Sequence, residues 1–293
     1  MNILVTGANG QLGTELRAVS AGSGNHYVFT DVKTVPGRET VYLDITNIDA
    51  VRIITESEHI DAIVNCAGYT DVEKAEDDAA FADLLNNAAV ANLAAVAAER
   101  GAVLVHISTD YVFDGRASVP YREDDEKSPT CTYGATKLAG ENAILSSGCK
   151  YLIIRTAWMY SPYGKNFVRT IRRLASEKEQ VRVVFDQVGS PTYAADLAQA
   201  LVGIIDGGGL EKTGVYHYTD EGVCSWYDFA VEVAALSGCR GRVLPCRTAE
   251  YPTKARRPAY SVLDKSRIKK AFGLEIPHWK ESLRACIQRM EEK

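Results

Sequence analysis

A phenol and an ammonium stand four residues apart in the segment Tyr133-Gly134-Ala135-Thr136-Lys137. On a helix that spacing puts both on one face. A free tyrosine has a pKa near ~10 and seldom ionises at neutral pH, but a lysine ammonium close by favours the phenolate. Such a pair can protonate a carbonyl oxygen as hydride arrives at its carbon. The same spacing also occurs in exposed helix pairs that do nothing. Two features favour chemistry here. Ser108-Thr109-Asp110 ends an apolar run, so hydroxyls fall at the carboxyl edge of a strand, and the Tyr133 segment follows by the length of one crossover.

A second constellation lies near the start, in Ile3-Leu4-Val5-Thr6-Gly7-Ala8-Asn9-Gly10-Gln11-Leu12-Gly13. Gly7, Gly10 and Gly13 permit a tight turn, close backbone approach to a pyrophosphate, and close helix–strand packing. The helix opening at Gln11 and Leu12 offers free N–H groups and the positive end of a dipole. Asp31 closes the second apolar run, where a carboxylate can bind the ribose hydroxyls of an adenosine; a helix cap or turn is the other reading. That carboxylate should repel a 2′-phosphate and favour NADH, but Lys33 and Arg38 can screen it, so NADPH and NADH both stay open. Asp44-Ile45 is placed beside the adenine. Ala67-Gly68-Tyr69 follows the fourth run, where the backbone can pass the cofactor's phosphates or ribose, although Gly68 also suits an ordinary β–α turn.

Elements that could position these groups alternate along the chain. Strands are expected at Ile3–Val5, Tyr27–Phe29, Val41–Leu43, Ala62–Val64, Val103–Ile107 and Tyr151–Ile154. Between them, helices are expected over Gln11–Val19, after a cap at Thr46 or Asn47 (with Val51, Ile54 and Ile60 apolar), over the Ala-rich stretch Ala79–Arg100 up to Gly101, and from Ser128-Pro129-Thr130 onward. Short strands apolar on both faces and separated by helices indicate a parallel sheet covered on both sides. The expected fold is α/β: a Rossmann-type doubly wound parallel sheet with a smaller C-terminal α/β substrate-binding part. Residues 1–156 and about 191–217 would form the dinucleotide-binding domain, and about 157–190 and 218–293 the substrate part. In that last third, strands are expected at Val181–Val184 and Val215–Tyr218, and helices at Ala194–Ile205, after Ser225, and near Lys280–Met290.

A net charge of −5 with no long basic run argues against nucleic-acid binding. No stretch approaches the length of a membrane span, and the short run Ile3–Val5 is no signal segment. Seven cysteines without CxxC spacing and five scattered histidines argue against a disulfide framework or zinc site. A reduced, cytoplasmic enzyme is expected.

The motifs TGANGQLG (Thr6–Gly13), STDYVFDG (Ser108–Gly115), YGATKLAGE (Tyr133–Glu141) and RTAWMY (Arg155–Tyr160) resemble the extended short-chain dehydrogenase/reductase superfamily. Within it they resemble the dTDP-4-dehydrorhamnose reductase family, and DQVGSPTY (Asp186–Tyr193) and ARRPAYSVLD (Ala255–Asp264) extend the likeness over nearly the whole chain. The resemblance implies NADPH- or NADH-dependent reduction of the C4 ketone of dTDP-4-dehydro-L-rhamnose, the last step of dTDP-L-rhamnose synthesis, on a nucleotide-sugar substrate. It implies Tyr133 as proton donor, Lys137 on the nicotinamide ribose, and Thr109 near the reacting oxygen. Asp110 and Trp158 would line the sugar pocket, and Asn166 and Arg257 would face the diphosphate. Tyr260 replaces the Asn of the family pattern two residues after Pro258. Some members bind Mg²⁺ at a dimer contact through acidic residues. Glu15 matches one such position but the full set does not, so no metal ligand is assigned, and Mg²⁺ and a homodimer stay open. Two alternatives share the fold: another nucleotide-sugar enzyme (an epimerase or dehydratase), and a non-catalytic regulatory NADP-binding subunit like the methionine adenosyltransferase β subunit. Dehydratases usually carry acidic residues immediately after the strand-end Thr, where here a single acid, Asp110, is followed by Tyr111. A regulatory subunit predicts an eroded Tyr–Lys pair.

Overall fold

The computed structural model describes residues 1–292, so Lys293, the end of the expected substrate part, lies outside the described residues. The chain opens with β1 (Asn2–Thr6), α1 (Gln11–Val19), β2 (His26–Asp31), β3 (Val41–Tyr42), α2 (Ile48–Ser57) and β4 (Ala62–Asn65). It continues through α3 (Ala79–Arg100), β5 (Val103–Thr109), α4 (Thr132–Ser146) and β6 (Lys150–Thr156). Then come α5 (Phe167–Glu177), β7 (Gln180–Val184), α6 (Ala194–Asp206) and β8 (Gly214–His217), followed by α7 (Trp226–Leu236), β9 (Arg242–Cys246), α8 (Ser266–Phe272) and α9 (Trp279–Glu291).

Seven strands form one parallel sheet in the order β8-β6-β5-β4-β1-β2-β3. Both faces are buried, as the unbroken apolar strands require. Leu4, Ile63, Leu104 and Ile153 pack one way, against Val51 of α2, Leu93 of α3 and Ile144 of α4. Their strand neighbours Val5, Val64, Val105 and Ile154 pack the other way, against Leu12 and Leu16 of α1 and Leu197 and Leu201 of α6. The order reverses between β1 and β4, which is where such sheets hold ligands.

A second core joins α5, α7, α9 and the parallel pair β7–β9 through Val168, Ile171, Val181, Phe229, Leu283 and Ile287. Ser225 caps α7 in a full capping box with Asp228, and the Asn47 side chain accepts from Asp49 and Ala50 N–H at the start of α2.

Two expectations are corrected. The α4 helix begins at Thr132, not at Ser128-Pro129-Thr130. Ser128 N–H instead bonds the Val112 carbonyl, and Thr132 N–H and hydroxyl bond Glu76, so the preceding segment is tied to its neighbours as an extended strap. Second, α3 is a single 22-residue helix in which an 18-residue stretch has mean hydropathy 1.3, long and apolar enough to cross a membrane by length and composition. Its apolar stripe is spent on the sheet, where Val90, Leu93 and Val96 are fully buried. It carries a π-helical turn over Leu84–Ala88, which places Asn86 inside the protein.

Candidate active site

The glycine loop is shaped by contact, not only by turn geometry. Gly7 has φ +64°, and a Cβ there would lie 2.6 Å from the Ala67 nitrogen. Any side chain would push apart the two loops that flank the switch point. Gly10 precedes α1 without a side-chain cap, so the N–H groups of Gln11, Leu12 and Gly13 face outward at the positive end of the helix. That arrangement fits a pyrophosphate.

Asp31 is more occupied than its position implies. Its two oxygens accept the N–H groups of Asn9 and Lys33, each at 3.0 Å, so the carboxylate staples the glycine loop to the end of β2. Arg38 reaches over α1 to donate to the Thr14 hydroxyl at 2.9 Å. Asp44 folds back on the Thr46 N–H and hydroxyl, while Asn92 donates to the Ile45 and Thr46 carbonyls. Gly68 and Tyr69 are clamped by Asn86, whose amide oxygen accepts Tyr69 N–H at 2.9 Å and whose amide hydrogens reach the Tyr69 carbonyl and the Thr136 hydroxyl.

The α4 helix seats Tyr133 and Lys137 by close packing. A Cβ on Gly140 would lie 2.1 Å from the Asn86 carbonyl oxygen, and one on Gly134 would lie 2.3 Å from that of Tyr111. Behind the helix, Glu141 and Arg155 form a bidentate pair at 2.9 and 2.7 Å, each only 1% exposed, with Ser108 also donating to Glu141. Lys137 is buried, and its amine donates to the Ile107 carbonyl at 2.5 Å and lies 3.3 Å from Nε2 of His106. Burial lowers its pKa to about 8, partly opposed by Glu141 and Cys66.

Burial pushes the Tyr133 phenol well above its ordinary range, and a hydrogen bond with the Thr109 side chain opposes this. Thr109 itself donates to Asp110 Oδ1 at 3.0 Å and accepts Tyr111 N–H at 3.2 Å. Asp110 is raised to about 6 by burial, an effect opposed by hydrogen bonds with the Ser261 and Thr109 side chains. Tyr111 packs edge-on against Tyr133 at 5.5 Å, and Arg257 donates to the Tyr111 hydroxyl at 3.3 Å and to Glu73 at 2.7 Å. The structure thus brings Arg257, Tyr111, Tyr133, Thr109 and Asp110 into one cluster, although Arg257 is more than a hundred residues from the rest.

Trp158 has φ +49°, a left-handed backbone that costs a bulky residue of order 1–3 kcal/mol. Its indole stacks on Trp226 at 3.6 Å, with Phe167 tilted against Trp226, and it presses on Gly189. Asn166 is engaged internally: it caps α5 by accepting Arg169 N–H, and its amide hydrogens go to Gln11 Oε1 and the Ser161 and Tyr163 carbonyls. It therefore bridges the glycine-loop helix to the 161–166 loop. The Tyr260 ring leans on Tyr121 at 6.4 Å, and its N–H bonds the Gly115 carbonyl.

A Mg²⁺ ion does not fit at Glu15. That carboxylate is 1% exposed and both its oxygens accept the Arg289 guanidinium at 3.0 Å. Among the described residues no group of three or more His, Cys, Asp or Glu is placed to hold a metal. Sequence reasoning passed over Asn65, Asn86, His106, Tyr111, Trp226 and Arg289. Asn65 and His106 carried a signal, as polar residues inside otherwise apolar strands.

Known proteins resemble the chain along its whole length. The family described as RmlD substrate binding domain matches residues 1–292. A dTDP-4-dehydrorhamnose reductase from Burkholderia thailandensis is 40% identical, with 98% of each chain covered. The crystal structure of a dTDP-4-dehydrorhamnose reductase from Clostridium acetobutylicum is 43% identical, covers 99% of this chain and 100% of its own, and superposes with a TM-score of 0.92. That of the Bacillus anthracis reductase, in complex with NADP, is 35% identical, covers 98% and 99%, and gives 0.85. With the Tyr133–Lys137 pair and the glycine loop both intact, the chain belongs to the RmlD family, the dTDP-4-dehydrorhamnose reductases.

Proposed function

We propose that this protein reduces the C4 ketone of dTDP-4-dehydro-L-rhamnose to dTDP-L-rhamnose, using NADPH in preference to NADH. The convergence of Tyr133, Thr109 and Arg257 on one cluster carries the reading. A bound nicotinamide dinucleotide supplies the hydride; the protein supplies placement and a proton. Gly7, Gly10 and Gly13, with the outward N–H groups of Gln11 and Leu12, cradle the pyrophosphate. Asp31, Asp44 and Ile45 flank the adenosine, and Ala67, Gly68 and Tyr69 form the opposite wall. Lys137 holds the nicotinamide ribose. Tyr133 delivers its phenolic proton to the C4 oxygen, while the Thr109 hydroxyl hydrogen-bonds that oxygen and so restrains it. Asp110 and Trp158 line the sugar pocket, and Arg257 offers a guanidinium to the diphosphate. Asn166 acts on the same region through Gln11. Sheet-forming residues 1–156 with about 191–217 then serve the dinucleotide, and 157–190 with 218–292 the sugar nucleotide.

NADPH is favoured because the Asp31 oxygens are already shared by two N–H groups, while Arg38 crosses α1 near the adenosine end. The Bacillus anthracis relative is described with NADP. The test is nicotinamide oxidation dependent on added dTDP-4-keto-6-deoxyhexose. Tyr133→Phe should lower kcat about 10²–10⁴-fold, the usual contribution of a positioned general acid, with cofactor affinity little changed. A variant turning over at the wild-type rate removes Tyr133 from the role.

A further inference from the structure

A buried chain of hydrogen bonds runs from the glycine loop to Lys137, crossing three adjacent strands. The Thr6 hydroxyl donates to Asn65 Oδ1 at 2.6 Å, Asn65 Nδ2 meets His106 Nδ1 at 3.0 Å, and His106 Nε2 meets Lys137 Nζ at 3.3 Å. Thr6, Asn65 and His106 are at most 1% exposed, so bulk solvent does not reach the chain.

Its polarity follows from counting donors. The Ala67 N–H points at Asn65 Oδ1 at 3.1 Å, and a backbone N–H can only donate. The Asn65 amide is therefore fixed with its oxygen toward Ala67 and Thr6 and its NH₂ toward His106. His106 Nδ1 must accept. A neutral imidazole has one donor and one acceptor, so its proton sits on Nε2, facing Lys137. An ammonium has three donors and no lone pair, whereas a neutral amine can accept from Nε2–H and still donate to the Ile107 carbonyl.

We propose that Asn65 and His106 are positioning residues that present an N–H instead of a lone pair to Lys137 in the cofactor-free protein, and so favour its neutral amine and bring its change of charge toward neutral pH. The inference rests on Lys137 serving the reaction as described above. Among the groups facing the amine, Glu141 and Cys66 pull toward the ammonium, but burial outweighs them and each is itself held close to neutral. His106 on β5 is kept neutral, its pKa driven well below the ordinary value by burial and by Lys137. Cys66 beyond β4 is a neutral thiol pushed up to about 12. On α4, Tyr133 is an un-ionised phenol, and Glu141 one turn on is neutralised by Arg155.

Two measurements test this on the whole protein without substrate. In ¹⁵N-histidine-labelled protein, His106 should show a protonated Nε2 and an unprotonated Nδ1 from pH 6 to 9; the opposite tautomer or an imidazolium overturns the proposal. The Lys137 ¹³Cε and ¹⁵Nζ resonances should titrate near pH 8, and a midpoint above 10 overturns it. Asn65→Asp reverses the chain: its carboxylate accepts from Nδ1–H, leaving Nε2 to accept from an ammonium. The Lys137 midpoint should then rise by about one unit or more, a tenfold or greater change in acidity. The alkaline limb of kcat/KM should move with it; a limb that stays put while the midpoint moves refutes the link to turnover. Because tautomer and titration are read without substrate, loss of the reductase assignment would leave them standing.

Discussion

Replacing Glu141 by Gln tests whether the catalytic helix is anchored from behind by charge. Glu141 accepts two bonds from Arg155 and one from Ser108, and both members of the pair are 1% exposed. Gln keeps the shape and removes the charge. Its amide then faces the guanidinium with N–H against N–H or forfeits one of the two bonds. Beyond at most one bond to the Gln oxygen, Arg155 keeps the Glu123 carbonyl at 3.0 Å, the His217 ring nitrogen at 3.4 Å and the Phe113 ring at 5.2 Å. None of these offsets a full buried charge, and breaking such a pair costs about 3–5 kcal/mol. At roughly 2–4 °C per kcal/mol for a chain of this size, Tm should fall by about 6–20 °C. Urea unfolding followed by tryptophan fluorescence gives the free energy. The double variant Glu141→Leu with Arg155→Met removes both charges and should recover to within about 2 kcal/mol of the parent. A single variant that costs under about 1 kcal/mol, or a double variant no better than Glu141→Gln, refutes the anchoring argument.

Gly140→Ala would bring a methyl to 2.1 Å from the Asn86 carbonyl, so α4 must shift by about 1 Å, with a cost of about 1–3 kcal/mol and a kcat roughly 10²-fold lower at near-normal cofactor affinity; steady-state kinetics at wild-type rate would contradict the close-packing account. His217 is lowered from 6.5 to about 3 by burial and by Arg155. Its stabilising contribution is complete above pH 6.5 and shrinks by about 1.4 kcal/mol per unit as pH falls toward 3. Its ring resonances should therefore not titrate between pH 8 and 5, and a midpoint inside that window would disprove neutral burial.

Much of the sheet was legible because its signals are local. The helix over Gln11–Val19, the stop at Gly101 and the caps at Asn47 and Ser225 each depend on a few adjacent residues. The β7–β9 pairing was not legible, because its partners are some sixty residues apart and β9, unlike the alternating β7, carries a proline and no clear alternation. Helix α5 went unread although Asn166 begins it: the residue was assigned by resemblance to a ligand contact, and its amide is spent on the cap and on Gln11. The Tyr133–Lys137 pair could be recognised from spacing, but the direction of the Lys137 amine could not. It depends on His106, whose position in an apolar strand looks the same on paper whether it is packed or hydrogen-bonded.

The Arg289–Glu15 pair has a consequence for biosynthesis. Glu15 leaves the ribosome 274 residues before the guanidinium that neutralises it, an interval of roughly 15–50 s at ordinary elongation rates. For that time α1 can pack on the nascent sheet only by burying an uncompensated carboxylate, or by leaving its inner face open. Final seating of the first helix therefore waits for the last one, so truncations or fusions that disturb the Arg289 turn should slow maturation of the glycine loop at the opposite end of the sequence.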